Sequence, residues 1–301
     1  MALALGIEIG GTKLQAGIGD GTAKLRALVR KPIDPGRGGE GIREQIPGLI
    51  DLALAEAKAA KTELVGAGVG FGGPVDGEKV LVSHQIRGWS DFPLRDWLAE
   101  RAGLPVVLQN DCKAAALGEY ALGAGKGCRR IFYVTVGSGI GGGLVVDGEV
   151  DVGQGLGAGE IGHTWVYDPR TKLPDKLENV ASGWGLQRRA QEAGVGGDPP
   201  TGQSVYAAAE KGDAAARRVL RETADLLGMG IANVVTLLHP EKVIVGGGLS
   251  LMGPLFWEPL RASVQRHAFG PFAGRFEVVP AALGESVVVA GAVLLGLAAG
   301  K

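Results

Sequence analysis

The chain has 301 residues, 46% of them apolar and 21% charged, and a net charge of −1. That is a globular composition, long enough for two domains. It excludes an electrostatic pull toward nucleic acid or an anionic membrane surface.

The predicted elements begin with three strands, Leu3–Ile9, Leu14–Ile18 and Leu25–Val29. Between the first two lies a glycine turn, Gly10-Gly11-Thr12-Lys13, and the pair Asp20-Gly21 is expected to turn the second strand into the third. Apolar residues at helical spacing from Ile42 to Ala57 predict an amphipathic helix, weakened in its first turn by Pro47. Leu64–Val69 reads as a buried strand that ends in Gly70-Phe71-Gly72-Gly73-Pro74. Asp91, with Pro93 just inside, is expected to open a helix that Gly103 closes. A strand over Pro105–Gln109 then delivers Asn110-Asp111 to its carboxyl end, and a helix follows through Ala114–Tyr120.

Near Arg129 the pattern starts again. Val134-Thr135-Val136-Gly137-Ser138-Gly139-Ile140-Gly141-Gly142 is a second strand–glycine–strand unit, and Asp147-Gly148 follows Gly137 as Asp20-Gly21 follows Gly10. A glycine-rich loop and strand (Gly155 to Tyr167), two or three helices and a long helix from about Asp213 to Leu238 come next, with Asp213 as its N-cap. Lys242–Val245 is a strand ending in Gly246-Gly247-Gly248. Phe276–Val279 is the last strand and Val287–Ala299 the last helix. Alternating strands and helices predict α/β lobes with mixed sheets. Two matched hairpins predict two similar lobes facing one another. Ligands of such sheets collect at the carboxyl ends of strands, where all these glycine turns fall.

The 53 glycines sit at the ends of apolar runs and not in low-complexity tracts, which fits tight turns. Cys112 and Cys128 suggest a reducing compartment and no disulfide framework. No basic segment precedes the apolar start, and the longest apolar run, Val287–Gly300, is too short and glycine-rich to span a bilayer. A soluble cytoplasmic protein is expected, with no membrane partner.

Several motifs carry chemistry. Glycine backbones beside Thr12 or Ser138 offer phosphate oxygens free N–H groups with no side chain in the way. The G-x-G-x-x-G at Gly137–Gly142 is followed by a strand, which excludes a dinucleotide-binding fold. The partner motifs of a protein kinase and a Walker A loop are absent. Asp111, at a strand end with a helix behind it, suits a base that accepts a hydroxyl proton, and equally an ordinary helix cap. Glu160, His163 and Glu178 could converge on a polyhydroxylated ligand, although His163 alone also reads as a core histidine. Glu8 could hold Mg2+ through water, or simply be a hydrogen-bonded strand-end carboxylate.

Taken together these residues resemble the ROK family, bacterial sugar kinases and their relatives with the two-lobed sugar-kinase/actin-like (ribonuclease H-like) fold. The resemblance runs over nearly the whole chain: Gly6–Lys13, Gly68–Asp76, Gln109–Ala115 with Gly123–Gly127, Thr135–Gly142, Gly159–His163, Glu178 with Ala181-Ser182-Gly183, Val245–Gly248 and Ala282–Gly284. It implies a small domain of 1–111 plus 286–301 and a large one of 112–285, with a cleft between them. It implies transfer of the ATP γ-phosphoryl group to a hexose, with the 6-hydroxyl of glucose favoured and fructose, mannose, N-acetylhexosamines and a polyphosphate donor as alternatives. Asp111 would be the base. Gly73, Asn110, Glu160, His163 and Glu178 would bind the sugar. Gly10, Gly11, Thr12, Lys13, Gly137, Ser138, Gly139, Gly247 and Gly248 would bind the nucleotide, and Mg2+ would bridge its phosphates. A homo-oligomer, dimer or tetramer, is also implied.

The family's sugar-responsive repressors carry a DNA-binding module ahead of the first phosphate loop. Here that loop begins within ten residues of Met1 and the charge is not basic, so no nucleic-acid partner is expected. A catalytically dead sensor is disfavoured by the presence of Asp111 and both glycine turns. The sequence departs from the family in three places. Glu8 stands where Asp is usual. The C-x-C-G-x-x-G-C zinc motif that usually follows the E-x-G-H element is missing, so no structural zinc is expected. Gln85 and Arg87 stand where Asn and Pro are common, which bears on the choice of sugar.

Overall fold

The computed structural model describes residues 2–83 and 86–300. The chain divides into two compact units. The first is Met1–Gly127, Gly143–Ala158 and Ala282–Lys301, and the second is Cys128–Gly142 and Gly159–Ala281.

The first unit is built on a five-stranded mixed sheet. Strands β1 (Leu3–Ile9), β2 (Lys13–Gly19) and β3 (Ala27–Pro32) form an antiparallel meander, and α1 (Gly38–Ala57) follows. β4 (Leu64–Phe71), α2 (Leu94–Ala102) and β5 (Val106–Asn110) come next, and the sheet order is β3-β2-β1-β4-β5. β4 runs parallel to β1, and β5 parallel to β4. Ile9 pairs with Phe71, and Phe71 with Asn110, so the three strands finish side by side. Helix α3 (Asp111–Leu122) leaves directly from β5.

The second half repeats this plan. β6 (Arg130–Val136), β7 (Ile140–Val146) and β8 (Glu149–Val150) are followed by β9 (Trp165–Asp168), β10 (Leu173–Lys176), α4 (Leu177–Ala181), α5 (Gly183–Glu192), α6 (Gly202–Glu210) and α7 (Ala214–Leu238). β11 (Lys242–Gly246), α8 (Pro254–His267), β12 (Glu277–Pro280) and α9 (Val287–Ala299) complete the chain. The second large sheet has the order β12-β11-β6-β7-β8, the same arrangement of roles as the first. β9 and β10 pair with each other as a separate hairpin.

Helix α9 belongs to the first unit and lies on β1 and β4. Its sequence is almost wholly apolar, which fits a helix buried on most sides. The fit is so close that side chains on the sheet would not be tolerated. A Cβ on Gly68 would stand 2.0 Å from the Ala292 carbonyl oxygen. On its other side α9 meets α3, where a Cβ on Gly291 would stand 1.8 Å from the Ala114 carbonyl oxygen. Glu119, fully buried on α3, ties the end of the chain to this core. Its two oxygens accept from the backbone N–H groups of Ala282, Leu283 and Ala124 at 2.8–2.9 Å.

Most elements match the sequence pattern, with instructive differences. The third strand begins at Ala27, later than the expected Leu25, because Asp20-Gly21 does not make a two-residue turn. The Asp20 carboxylate accepts from the Thr22 N–H and hydroxyl and opens a longer loop. Asp147 and Gly148 do make the short turn, with φ of 51° and 90°. The α1 helix runs straight through Pro47. Asp91 does not open α2: it has φ 55° and its carboxylate pairs with Lys79, while Pro93 precedes the helix. Asp213 caps α7 as expected, accepting from Ala215 and Ala216. Helix α8 and strand β10 have no counterpart in the sequence pattern.

Two predictions follow from the packing of the first unit. Gly291→Ala should lower stability by about 3 kcal/mol or more, because a methyl group is forced onto a backbone that cannot move aside. Glu119→Ala should cost on the order of 3 kcal/mol by removing the buried carboxylate that accepts from three backbone N–H groups and leaving a cavity in its place. Denaturant or thermal unfolding of each variant checks both; midpoints within a degree or so of wild type would refute them.

Candidate active site

The aligned ends of β1, β4 and β5 gather the first set of residues. After Ile9 the chain turns through Gly10–Thr12, and the Gly10 N–H donates to the Lys13 carbonyl at 3.1 Å. The Gly72 N–H donates to the Ile9 carbonyl at 2.8 Å, which ties the two strand ends together. Asn110 caps α3: its Oδ1 accepts from Cys112 and Lys113, and its Nδ2 donates to the Gly73 carbonyl at 3.1 Å. The cap is therefore Asn110, and Asp111 is the first residue of the helix proper. Asp111 Oδ1 accepts from the Cys112 N–H at 2.8 Å, and the dipole of the helix start favours a negative charge there. A Cβ on Gly72 would touch Asp111 Oδ2 at 3.4 Å and the Gly10 Cα at 3.5 Å, so the carboxylate lies against the first glycine turn. Gly10, Gly11, Phe71, Gly72, Ser83 and Trp89 line a small pocket beside it.

Glu8 lies in the same cluster, 5% exposed. Gln15, its cross-strand neighbour, donates to Oε2, and Lys13 Nζ lies 3.3 Å from Oε1. Burial raises the Glu8 pKa above the ordinary glutamate value; Lys13 opposes this, and the Asp111 charge adds to it. Two carboxylates that disfavour each other's charge at the end of a sheet fit a divalent cation. Gln15 is fully buried and its Oε1 has no hydrogen-bond partner. Pattern reading missed Gln15, because its role depends on pairing with Glu8 across two strands.

The second set lies in the other unit. β6 ends at Val136, and its parallel neighbour β11 ends at Gly246, which pairs with Thr135. The turns Gly137–Gly139 and Gly247–Gly248 are therefore adjacent. Gly247 has φ 81°, and a Cβ there would lie 2.6 Å from the Val136 carbonyl, so only glycine fits. The Gly183 N–H donates to the Gly137 carbonyl at 2.7 Å and sets the start of α5 against this turn. Ser138 is exposed. Glu178 is held close by: its Oε2 accepts from the Ile140 N–H at 2.9 Å.

Glu160 and His163 bracket a single 3-10 turn, and both are exposed. That turn lies on the start of β7, where a Cβ on Gly162 would stand 2.1 Å from the Ile140 carbonyl oxygen. Ile140 is thus the common neighbour of the Glu160–His163 loop and of Glu178. Lys176 Nζ lies 3.3 Å from His163 Nδ1, a partner the sequence did not suggest. A charged Lys176 would leave the imidazole proton on Nε2.

The residues between His163 and Glu178 do not fit a zinc site. They form the β9–β10 hairpin and contain no cysteine or histidine. The carboxylates there are engaged: Asp168 by Arg189, Asp175 by the Lys176 N–H and Asn179 Nδ2. Among the described residues no group of three or more His, Cys, Asp or Glu is placed to hold a metal ion. Gln85 lies outside the described residues. Arg87 is exposed, and its carbonyl accepts from the Gly39 N–H at 2.7 Å. No helix among the described residues is long and apolar enough to cross a membrane.

The chain is similar to known proteins over nearly its whole length. The chain is 33% identical to a glucokinase of Halalkalibacterium halodurans, over 95% of this chain and 92% of that protein. A ROK hexokinase from Thermus thermophilus superposes with a TM-score of 0.84 at 32% identity, covering 98% of each chain. A ROK family glucokinase from Streptomyces griseus, solved in complex with glucose and AMPPNP, superposes with a TM-score of 0.82 at 32% identity, covering 99% of this chain and all of that one. A sequence profile of the ROK family matches residues 4–299, nearly the whole chain, and the chain belongs to the ROK family.

Proposed function

We propose that this chain is an ATP-dependent glucokinase that phosphorylates the 6-hydroxyl of glucose. The observation that carries the reading is the Asp111 carboxylate at the start of α3, set against the Gly10 and Gly72 backbone where three parallel strands end. Glucokinases of the same family, similar over nearly the full chain, support the choice of sugar.

In this reading the 6-hydroxyl proton passes to an Asp111 carboxylate oxygen as the hydroxyl oxygen bonds to the γ-phosphorus. The bond from phosphorus to the β–γ bridging oxygen breaks, and ADP leaves. General-base help of this kind contributes roughly 10²–10⁴-fold, and the rest is positioning and charge neutralisation. Asn110 brings its remaining amide hydrogen, and Gly73 its backbone, to the sugar side. Glu160, His163 and Glu178 complete the hydroxyl partners. The backbone of the turns Gly10–Lys13, Gly137–Gly139 and Gly247–Gly248 serves the nucleotide; the Gly10 and Gly137 N–H groups close their own turns, on the Lys13 and Gly139 carbonyls, and hold them in shape. Lys13 and Ser138 stand at the edges of two of them. A Mg2+ ion would be held by phosphate oxygens and, through water, by Glu8, and would neutralise phosphate charge. A panel of glucose, fructose, mannose and N-acetylhexosamines with ATP or polyphosphate, followed by ADP release or product phosphate, tests the reading. Failure to turn over glucose would sink it.

Two variants probe the roles. Asp111→Asn should reduce kcat by roughly 10²–10⁴-fold while glucose affinity, measured by calorimetry, stays within a few-fold. Equal loss of binding and rate would remove the base role. Glu8→Gln should raise the thermal midpoint near neutral pH, because burial of an ionised carboxylate is relieved and the new amide can donate to Gln15 Oε1. The folded-state pKa of Glu8 is raised, so its stabilising contribution is complete below the ordinary value of 4.5 and is lost as pH rises through the folded value. The gain from Glu8→Gln should therefore be present at neutral pH and gone in acid. The same variant should need more Mg2+ for half-maximal rate. A midpoint that falls at neutral pH would contradict the electrostatic account.

A further inference from the structure

Strand β9 turns Trp165 and Tyr167 outward and Val166 and Asp168 inward. An inward aspartate is unfavourable unless it is both charge-paired and hydrogen-bonded. Its partner is Arg189 of α5, and the two side chains are only 1% and 2% exposed. Arg189 Nη2 donates to Asp168 Oδ2 at 2.9 Å, and Nε donates to the Val180 carbonyl at 3.2 Å. Nη1 lies 3.5 Å from the Glu222 carboxylate of α7, within ion-pair range but without hydrogen-bond geometry. The second Asp168 oxygen accepts from the Arg170 N–H at 3.0 Å. One guanidinium therefore fastens the end of β9, the end of α4 and the flank of α7.

Those elements carry sugar-side residues of the proposed site. The chain leaves His163, runs out along β9, returns along β10 and closes where the Leu177 N–H donates to the Thr164 carbonyl at 2.8 Å. Helix α4 has five residues, too few to hold itself, yet it carries Glu178. Its last turn is gripped from α5 by Arg189 at Val180 and by Arg188, which donates to the Asn179 carbonyl at 2.6 Å. We propose that Arg189, acting through buried Asp168, is a positioning residue that holds Glu178 and His163 in register for the sugar, in a segment whose donors do not fit a metal. The proposal rests on the kinase reading for its ligand, and its structural half can be tested without turnover.

The test uses the full chain with Asp168→Asn, and with Asp168→Glu to restore the carboxylate. Asp168→Asn should raise the glucose KM by about 10-fold or more and leave the ATP KM within about 2-fold; Asp168→Glu should recover part of the loss. Hydrogen exchange should show protection falling at the amides of Ile140 and Leu177 while α7 keeps its own. Should Asp168→Asn not fold, Glu222→Gln removes the outermost tie and should shift the same readouts more weakly. Metal analysis of the purified protein should find no stoichiometric zinc. A parallel rise in both KM values, protection lost across the whole second unit, an unchanged glucose KM or bound zinc at one per chain would each overturn the clasp. A wild-type protein that phosphorylates no hexose would instead overturn the kinase reading, and the exchange pattern would still decide the clasp.

Discussion

The first unit depends on backbone-to-backbone contact between α9 and the central strands β1 and β4. Gly6 and Gly68 leave no side chain there, and a methyl on either would lie 2.5 or 2.0 Å from an α9 carbonyl oxygen. Close approach of this kind maximises dispersion contacts and tolerates almost no change in shape. It also joins the last helix of the chain to its first strand, so the unit is closed only when the C-terminal segment has docked. The consequence for the site is positional. With β1 and β4 clamped under one helix and β5 paired to β4, the three strand ends finish in register, and Gly10, Gly72 and Asp111 become neighbours.

In the proposed kinase reading, the same geometry explains why few side chains would be needed for the phosphates. Parallel strands ending together bring the turns that follow them side by side, and glycine leaves the backbone of those turns uncovered by side chains. Both units use the device at equivalent strands, β1 with β4 and β6 with β11, in sheets of matching order. In that reading charged side chains would be reserved for what backbone dipoles cannot supply: a proton acceptor, counter-charges and contacts that tell one hydroxyl pattern from another.

Much of this was legible in the sequence because the signals are local. Helix α7 announces itself through a long apolar period and an aspartate cap, and the glycine turns through their position at the ends of apolar runs. What was not legible depends on contacts made elsewhere in the chain. Asp91 looks like a helix opener, yet Lys79 and a left-handed backbone claim it. Helix α8 has Phe256, Trp257, Leu260 and Val264 at helical spacing, but Pro254 and Pro259 mask the pattern. Pro254 occupies the first turn, where no N–H is needed, and Pro259 forgoes a single bond in a helix held by its apolar face. Strand β10 reads Leu-Pro-Asp-Lys, with no strand propensity, and exists because β9 pairs with it.

Three buried carboxylates show how satisfaction tracks role. Glu119 accepts three backbone N–H groups and makes no demand on solvent or ligand. Asp168 faces a guanidinium that also binds a carbonyl, so its charge is answered within the fold. Glu8 differs: its partners are a half-exposed lysine and one amide, the amide's own oxygen is left without a donor, and a second carboxylate stands close by. A fold able to satisfy Glu119 and Asp168 so fully has no steric reason to leave Glu8 short. The deficit is concentrated at the strand end where a cation and its water ligands would supply the missing charge and donors, which is where selection for binding would keep an energetically unfavourable arrangement in place.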